Sequence, residues 1–325
     1  MSVLITGGAG YIGSHMAFSC LETGRDVVVI DNLITGLRAL VPEQAHFIQG
    51  DIADQAVVRT AIRNHSVTAV IHFAGSAIVP DSVAEPLTYY ANNTSASRNL
   101  IEACVQEGVQ NFIFSSTAAV YGIPQHSPAS EDAVKAPINP YGRSKLVTEW
   151  ILEDACRAHG LHSLALRYFN VAGADPRGRT GQSTPRATHL IKRASQAALD
   201  RIPVLDIFGT DFPTHDGTGV RDYIHVSDLV TAHLLGLEHL EKGGASLVMN
   251  CGYGHGFSVR EIISTVEKVA GRKIPTREAP PRPGDPAELV ADSTRLKSLL
   301  GWQPRYDDIE EIAATAYRWE KRLNA

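Results

Sequence analysis

Short runs of apolar residues alternate with amphipathic stretches along the first half of the 325-residue chain. The runs are rich in Val, Ile and Phe and almost continuously hydrophobic, which is typical of strands buried on both faces of a parallel sheet. They span residues 3–6, 26–31, 45–51, 69–75, 111–116 and 163–170. The stretches between them have helical periodicity, as at 96–109. This alternation predicts an α/β fold with a doubly wound parallel sheet of the Rossmann type.

The pattern changes after Asn170. Residues 171–188 are rich in Gly and Arg without clear periodicity, which indicates a loop that leaves the sheet. Further on, Ser258 and Glu261 have the spacing of a helix capping box, and that helix should end near Gly271. We therefore predict a Rossmann domain at 1–170, partly completed by segments near 215–255, and a smaller substrate-binding domain at 171–325.

Composition excludes several classes of function. A net charge of -5 and a pI near 6.2 argue against a nucleic-acid partner. The apolar runs are shorter than the roughly 18 residues of a membrane span, and the first residues do not have the pattern of a signal peptide. The four cysteines lie far apart and the histidines lack the spacing of metal ligands, which favours a cytoplasmic protein with reduced thiols and no metal.

A glycine-rich turn follows the first predicted strand. It carries Gly8-x-Gly10-x-x-Gly13 just before a helical pattern, and the second predicted strand ends at Asp31. Such glycines let the backbone approach a pyrophosphate at a helix N-terminus, while the carboxylate binds ribose hydroxyls. Since a carboxylate repels a 2′-phosphate, the pattern predicts NAD and not NADP. Other strand ends should line the same crevice, namely Asp51, Ile52, Phe73, Ala74 and Gly75.

Two stretches near the middle of the chain carry candidate acid/base groups. The fifth predicted strand runs into Ser115, Ser116 and Thr117, which places their hydroxyls at the carboxyl edge of the sheet. In NPYGRSK, Asn139 is a good N-cap and Pro140 a good first helical residue, so a helix should run from 140 to about 159.

Tyr141 and Lys145 then lie on one helical face, one turn apart. A cationic Lys145, the helix N-terminus and a nicotinamide ring should all lower the pKa of the Tyr141 phenol from its usual value of about 10. A phenol that titrates near neutral pH is a suitable general acid/base.

The order of these motifs resembles that of a known family. TGGAGYIGSH, DNL, HFAG, NFIFSST, NPYGRSK, LRYFNVAGA and DGTGVRDYIHVSDL follow one another along essentially the whole chain. The chain is similar to the extended short-chain dehydrogenase/reductase superfamily and, within it, to the UDP-glucose (UDP-galactose) 4-epimerases. DGTGVRDYIHV is the most specific segment, because it belongs to the substrate side and not to the shared NAD domain.

The resemblance implies an enzyme that inverts C4 of a UDP-hexose through a 4-keto sugar, with NAD as a tightly held catalyst. Tyr141 is then the acid/base, Lys145 its partner, and Thr117 the hydroxyl that binds the 4-oxygen. The implied cofactor-binding residues are Gly7, Gly10, Tyr11, Ile12, Gly13, Asp31, Asn32, Thr35, Gly36, Asp51, Ile52, Phe73, Ala74, Gly75, Asn92, Ser115, Tyr141, Lys145 and Tyr168. The implied substrate-binding residues are Thr117, Tyr141, Phe169, Asn170, His189, Leu190, Phe208, Arg221, Arg282, Asp285 and Leu289.

Three positions depart from the family pattern. Ala77 stands where some members have a Lys on the NAD pyrophosphate, which predicts either weaker cofactor retention or another cation in that role. Leu289 stands where members strict for hexoses without an N-acetyl group often have Tyr, so a wider sugar pocket is an open alternative. His189 replaces an Asn that contacts substrate.

Three alternative functions make different demands on the same residues. An epimerase of UDP-N-acetylhexosamines or UDP-pentoses would use the same machinery. A 4,6-dehydratase needs an acidic pair where this chain has Ala118 and Ala119, which argues against it. A non-catalytic NAD-binding regulator would not need Thr117, Tyr141 and Lys145 together. The resemblance also implies a homodimer packed through the helices near 96–109 and 146–157.

Overall fold

The computed structural model describes residues 1–184, 186–282 and 284–323. The strands are β1 (Ser2–Thr6), β2 (Asp26–Asp31), β3 (His46–Gln49), β4 (Val67–His72), β5 (Asn111–Thr117), β6 (His162–Tyr168), β7 (Asn170–Ala172), β8 (Leu205–Phe208), β9 (Val220–Arg221), β10 (Tyr223–His225), β11 (Leu247–Cys251), β12 (Phe257–Ser258), β13 (Thr276–Ala279) and β14 (Glu288–Leu289). The helices are α1 (Tyr11–Glu22), α2 (Gln55–Asn64), α3 (Val79–Ala84), α4 (Pro86–Tyr89), α5 (Ala96–Gln106), α6 (Pro140–His159), α7 (Leu190–Ala198), α8 (Val226–Glu241), α9 (Val259–Ala270), α10 (Thr294–Leu300) and α11 (Ile309–Arg322).

Within these residues, a parallel sheet of seven strands has the order β11-β6-β5-β4-β1-β2-β3. The order reverses beside β1, and ligands of such sheets bind at this reversal, beyond the carboxyl ends of the strands. The predicted α/β fold with a doubly wound sheet is therefore confirmed. The six predicted strands all form, although β3 and β4 end earlier than the predicted runs at 45–51 and 69–75.

The two faces of the sheet bury different apolar clusters. Alternate residues of each strand point to opposite faces. Ile5, Ile71 and Ile113 pack on the face covered by α1 and α8. Leu4 and Phe114 pack on the face covered by α2, α5 and α6. Since both faces are buried, the strands have the continuous hydrophobicity seen in the sequence.

The second half of the chain supplies one strand to the main sheet and builds a smaller layer beside it. β11 pairs with β6 at the edge of the sheet, and α8 packs beneath it. The smaller sheets pair β7 with β10, β8 with β13, and β9 with β12 and β14. The capping box predicted at Ser258 and Glu261 forms, and Gly271 ends α9 in the left-handed conformation, as predicted. The domain boundary at residue 170 stays a prediction.

Several helix ends follow from local chemistry. The helix predicted at 96–109 ends earlier, at Gln106, because Gly108 adopts a positive φ of 71°. Before Ala96, the helical backbone continues from Pro86 through a π-helical stretch, Tyr90–Ser95. Among the described residues, no helix is both long and apolar enough to cross a bilayer.

Candidate active site

The glycine turn between β1 and α1 is packed so tightly that side chains are excluded. A Cβ on Gly13 would lie 2.2 Å from the Gly7 carbonyl oxygen, and a Cβ on Gly7 would lie 2.6 Å from the Ala74 nitrogen. Gly7 also has a φ of 71°, which favours glycine. Gly10 caps α1 without a side chain, so the first amide groups of the helix are presented to the edge of the sheet. This geometry suits an anion such as a pyrophosphate.

Asp31 is buried at the end of β2 and held by the backbone. Its carboxylate accepts hydrogen bonds from the Ala9 amide at 2.9 Å and the Leu33 amide at 2.8 Å. The contact with Ala9 ties the acid to the glycine turn. Asp51 follows β3, and its carboxylate accepts from the side-chain amide of Asn32 at 3.0 Å. Two carboxylates therefore lie where β2 and β3 end, in reach of a ribose.

The turn after β4 lies between the glycine turn and α6. Phe73 donates its amide to the Thr6 carbonyl at 3.0 Å. A Cβ on Gly75 would lie 2.9 Å from the Asn93 side-chain oxygen and 3.8 Å from Lys145 Nζ, so this turn runs directly past the lysine. The structure thus brings the glycine turn, the turn after β4 and the lysine of α6 to one edge of the sheet.

Helix α6 begins as the sequence predicts. The Asn139 side chain accepts from the Gly142 amide at 2.8 Å, Pro140 is the first helical residue, and Gly160 ends the helix with a φ of 68°. Tyr141 therefore lies in the first turn. It is partly buried against Thr117, the last residue of β5. The Thr117 hydroxyl accepts from the Ala119 amide at 3.1 Å, which directs its own proton away from the backbone.

The pKa of Tyr141 moves in the opposite direction from the one predicted. Burial raises it above the usual value, and the hydrogen bond with Thr117 opposes only part of that rise. The physical reason is that a buried phenolate loses more hydration than a neutral phenol does. In the protein alone Tyr141 is therefore a neutral phenol at pH 7.

Lys145 is buried one turn below Tyr141. Its ammonium group donates to the Ser115 carbonyl at 2.9 Å and lies 4.9 Å from the centre of the Phe114 ring. Burial lowers the pKa of Lys145 to about 8, so the amine is still mainly protonated at pH 7. A buried cation beside the strand end is a donor suited to ribose hydroxyls.

Tyr168 and Ser115 lie on the opposite face of the sheet from α6. Tyr168 forms a short hydrogen bond with His233 Nε2. His233 Nδ1 contacts the Leu229 carbonyl at 2.8 Å and therefore carries the hydrogen, so Nε2 accepts from the Tyr168 hydroxyl. His233, whose ring lies 5.0 Å from that of Phe73, was missed by sequence reasoning. His233 lies 65 residues after Tyr168 in the chain, and only the packing of α8 against the main sheet brings the two together.

His72 is a second residue that sequence reasoning missed. Its Nε2 donates to Ser97, whose own proton goes to the Asn93 carbonyl, and its Nδ1 accepts from Thr6. These bonds tie β1 to β4 beneath the cofactor edge. Burial and the nearby Lys145 lower the pKa of His72 to about 3, so its ring is neutral at pH 7.

The substrate candidates from the second half form two pairs. Arg221 Nη2 lies 3.0 Å from Asp285 Oδ1. The guanidinium of Arg282 lies 4.1 Å from the centre of the Phe208 ring. Both arginines thus lie near the ends of the short strands β8 and β9, and each contacts another residue of the chain. The structure brings all four predicted residues to this side of the molecule.

The remaining substrate candidates fall into two groups. Asn170, His189 and Leu190 border a cavity of about 40 Å³, together with Tyr11. Phe169 is buried in a cluster that includes Ala118 and is flanked by the partly buried Leu289.

The other predicted cofactor residues surround the glycine turn or the turn after β4. Tyr11 donates to the Gly173 carbonyl at 2.7 Å, and Asn92 donates to Ser76 at 3.1 Å. Ile52 is buried, Ile12 packs against the core, and Gly36 approaches Asp31. Thr35 is exposed, and its exposure alone does not support a role in cofactor binding.

Comparison with known proteins agrees with this geometry. The model of the NAD dependent epimerase/dehydratase family matches residues 3–252. The UDP-glucose 4-epimerase of Azospirillum brasilense is 55% identical over 321 residues, which are 99% of this chain and 92% of that protein.

Solved structures of epimerases are also similar to this chain. The crystal structure of UDP-glucose 4-epimerase from Brucella ovis in complex with NAD has a TM-score of 0.95 at 44% identity, with 98% of each chain covered. The UDP-Glc/GlcNAc 4-epimerase from Campylobacter jejuni has a TM-score of 0.87 at 46% identity, with 99% of each chain covered.

Proposed function

The chain belongs to the NAD dependent epimerase/dehydratase family, and we propose that it interconverts UDP-glucose and UDP-galactose by inversion at C4. The main support for this proposal is the hydrogen bond between Tyr141 and Thr117, together with the buried amine of Lys145 one helical turn away. That trio lies at the same sheet edge as the glycine turn. An acid/base beside a cofactor that exchanges hydride is what a reversible oxidation at C4 requires.

The residues of the first half fit NAD. The glycine turn has no room for side chains and leads into the uncapped N-terminus of α1, where a pyrophosphate would be held. Asp31, fixed by Ala9 and Leu33, would hold the adenosine ribose and disfavour a 2′-phosphate. Lys145 would hold the second ribose. Bound NAD supplies the redox chemistry by accepting a hydride from C4 and returning it.

Tyr141 moves the proton. Its Oη takes the proton of the sugar 4-hydroxyl and later returns it, while the Thr117 hydroxyl donates to the 4-oxygen. Since burial raises the pKa of Tyr141 in the protein alone, the protein's own groups do not make it a base at pH 7. The positive charge of a bound oxidised nicotinamide would favour the phenolate.

The second half would hold the uridine diphosphate. Arg221 and Arg282 are suited to the two phosphates, because a guanidinium pairs phosphate oxygens with two parallel hydrogen bonds. Asp285 would bind the ribose, and Phe208 and Phe169 would flank the base. Bound substrate would replace the contact of Arg221 with Asp285 and that of Arg282 with Phe208.

A substrate panel tests this function. Purified protein is denatured to identify the released dinucleotide, and the native protein is then assayed with UDP-galactose, UDP-N-acetylgalactosamine and UDP-arabinose. We expect released NAD and the fastest turnover of UDP-galactose. Released NADP, or no turnover of UDP-galactose, contradicts the proposal. Faster turnover of an N-acetylated or pentose substrate would retain the mechanism and reassign the sugar.

We also propose that the protein is a homodimer. Three large apolar side chains are exposed on neighbouring helices: Val83 on α3 (64% exposed), Leu87 on α4 (82%) and Trp150 on α6 (54%). Helices α3 and α4 both pack beside α6, so these side chains can form one surface. A second copy of this chain would cover it and continue the helical packing after β4 and β5.

Sedimentation velocity tests the dimer. We expect wild-type protein to sediment as a dimer and Trp150→Glu, which places a charge in the proposed interface, to sediment as a monomer. Leu299→Glu is the matched control, since Leu299 is similarly exposed (56%) but lies on α10. A monomeric wild-type protein, or a dimer that persists in Trp150→Glu, contradicts this surface.

A further inference from the structure

The face of α6 that carries the acid/base continues to a buried carboxylate. Glu149 follows Lys145 by four residues and Tyr141 by eight, so the three side chains lie on one side of the helix. Glu149 is only 7% exposed. A carboxylate is placed at such depth only when charged or hydrogen-bonding groups surround it.

Glu149 binds groups from both strands beneath α6. Arg167 of β6 donates twice, from Nη2 to Oε2 at 2.6 Å and from Nε to Oε1 at 3.0 Å. Ser116 of β5 makes a short hydrogen bond to Oε1. Ser116 lies between Ser115, whose carbonyl holds Lys145, and Thr117, which contacts Tyr141. The Glu149 carboxylate therefore connects α6, which carries Tyr141 and Lys145, to the end of β5, which carries Thr117.

Arg167 is itself held on its other side. Its Nη1 donates to the Tyr121 hydroxyl at 2.9 Å and to the Glu131 carbonyl at 3.2 Å. Tyr121 in turn donates to the Asn250 side chain at 2.6 Å. The network thus extends from α6 through β5 and β6 to β11, and Arg167 is 3% exposed at its centre.

Such a buried ion pair contributes little net stability, because the two charges lose their hydration on burial. It does fix geometry, since a planar guanidinium and a carboxylate joined by two bonds allow one relative orientation. An apolar contact would allow α6 to shift along the sheet, whereas this ion pair holds the helix in one position.

We propose that Glu149 and Arg167 are positioning residues that set the place of α6 on β5 and β6, and thereby hold the Tyr141 phenol against Thr117. This inference rests on the proposed epimerase function. A misplacement of about 1 Å in an acid/base can slow a reaction by as much as 100-fold. The pair would therefore act on the chemical step without touching substrate.

Arg167→Lys is the principal variant, because it keeps the positive charge but cannot form the two parallel bonds. We expect kcat for UDP-galactose to fall at least about tenfold, with KM and the amount of bound NAD near wild-type values. The pH profile of kcat should also shift, because the environment of the Tyr141 phenol changes. A purely structural role would lower thermal stability and leave kcat, per folded molecule, and its pH profile unchanged.

Ser116→Ala and Arg25→Lys complete the experiment. Ser116→Ala removes a single bond to Glu149, and we expect a smaller, several-fold fall in kcat even if Arg167→Lys does not fold. Arg25→Lys weakens another largely buried ion pair, Arg25 with Glu241 at 2.9 Å, at the opposite edge of the sheet, and should leave kcat unchanged.

The outcomes separate the two proposals. No turnover of UDP-galactose by the wild-type protein contradicts the proposed function itself. If folded Arg167→Lys retains the full wild-type turnover, the positioning role alone is overturned. If Arg167→Lys does not fold, full turnover by Ser116→Ala has the same meaning.

Discussion

Burial decides the chemistry of single residues at this sheet edge. Tyr141 and Lys145 lie one turn apart, yet burial raises the pKa of the phenol and lowers that of the amine to about 8. Both shifts disfavour charge, because each group loses hydration. The phenol is therefore neutral at pH 7, whereas the amine is still mainly protonated.

The first prediction concerns removal of the Tyr141 hydroxyl. Tyr141→Phe should lower kcat for UDP-galactose by about 100-fold or more, because general acid/base groups contribute at least that factor. Bound NAD, measured after denaturation, should be retained, since the ring and Lys145 remain. Tyr317→Phe on α11 is the control and should behave as wild type. Full activity in Tyr141→Phe would remove Tyr141 from the mechanism.

The pKa of Tyr141 gives a second prediction. In NAD-free protein the phenol should ionise above its usual pKa of about 10, because its folded pKa is raised. Oxidised NAD should lower that pKa. The measurement is the phenolate absorbance that distinguishes wild type from Tyr141→Phe during a pH titration, with and without NAD. Ionisation of Tyr141 below pH 10 in NAD-free protein would be inconsistent with the burial described here.

At the scale of elements, α6 is the part on which function depends. Its start is set by Asn139 and Pro140, its register on the sheet by Glu149, and its reactive face by Tyr141 and Lys145. The N-terminal turn of a helix frays first when its cap is lost, and Tyr141 lies in that turn.

Removal of this cap is the third prediction. Asn139→Ala should cost about 1 kcal/mol of the free energy of unfolding and should also lower kcat. Asp308→Ala removes the comparable cap of α11, in which the exposed Asp308 side chain accepts from the Glu310 amide, so it should cost a similar free energy without a change in kcat. Denaturant unfolding and steady-state kinetics of both variants check this. Equal effects of the two variants on kcat would mean that the start of α6 does not position Tyr141.

At the scale of the whole molecule, both faces of the sheet are closed by helices, and polar groups inside must be neutral or paired. Four buried histidines illustrate this. Burial lowers the pKa values of His15 and His233 to about 4, and those of His72 and His225 to about 3.

These histidines give the fourth prediction, a loss of stability in mild acid. Their folded pKa values lie below the unfolded value of about 6.5, so the unfolded chain binds more protons as the pH falls below 6.5. Stability is therefore present above pH 6.5 and declines towards pH 5, by roughly 1 kcal/mol per histidine at pH 5.5.

Denaturant unfolding at pH 7.5 and pH 5.5 measures this effect. Carboxylates whose pKa values are lowered act in more acidic solution. Burial raises the pKa of Asp222, which opposes the loss of stability as the pH falls, so the decline between pH 7.5 and pH 5.5 is the effect of the histidines. His126→Gln, the substitution of an exposed histidine, is the control. An equal free energy of unfolding at the two pH values would contradict the neutral, buried state of these rings.

Local signals determined much of the fold and of the cofactor edge. Continuous apolar runs identified the strands, and Asn139, Pro140 and Gly160 identified α6, because caps and hydrophobic period act within a few residues. The spacing of Gly10, Gly13 and Asp31 predicted a dinucleotide site for the same reason.

Contacts between distant segments required the tertiary structure. His233 reaches Tyr168 across 65 residues, and Glu149 meets Arg167 and Ser116 from three separate elements. The direction of the Tyr141 pKa also depended on burial, which no local pattern encodes. The sequence by itself determined which residues can do the chemistry, because residue type and local spacing are written in it. Only the tertiary structure decided how those residues are charged and held, because hydration and long-range hydrogen bonding exist only once the chain has packed.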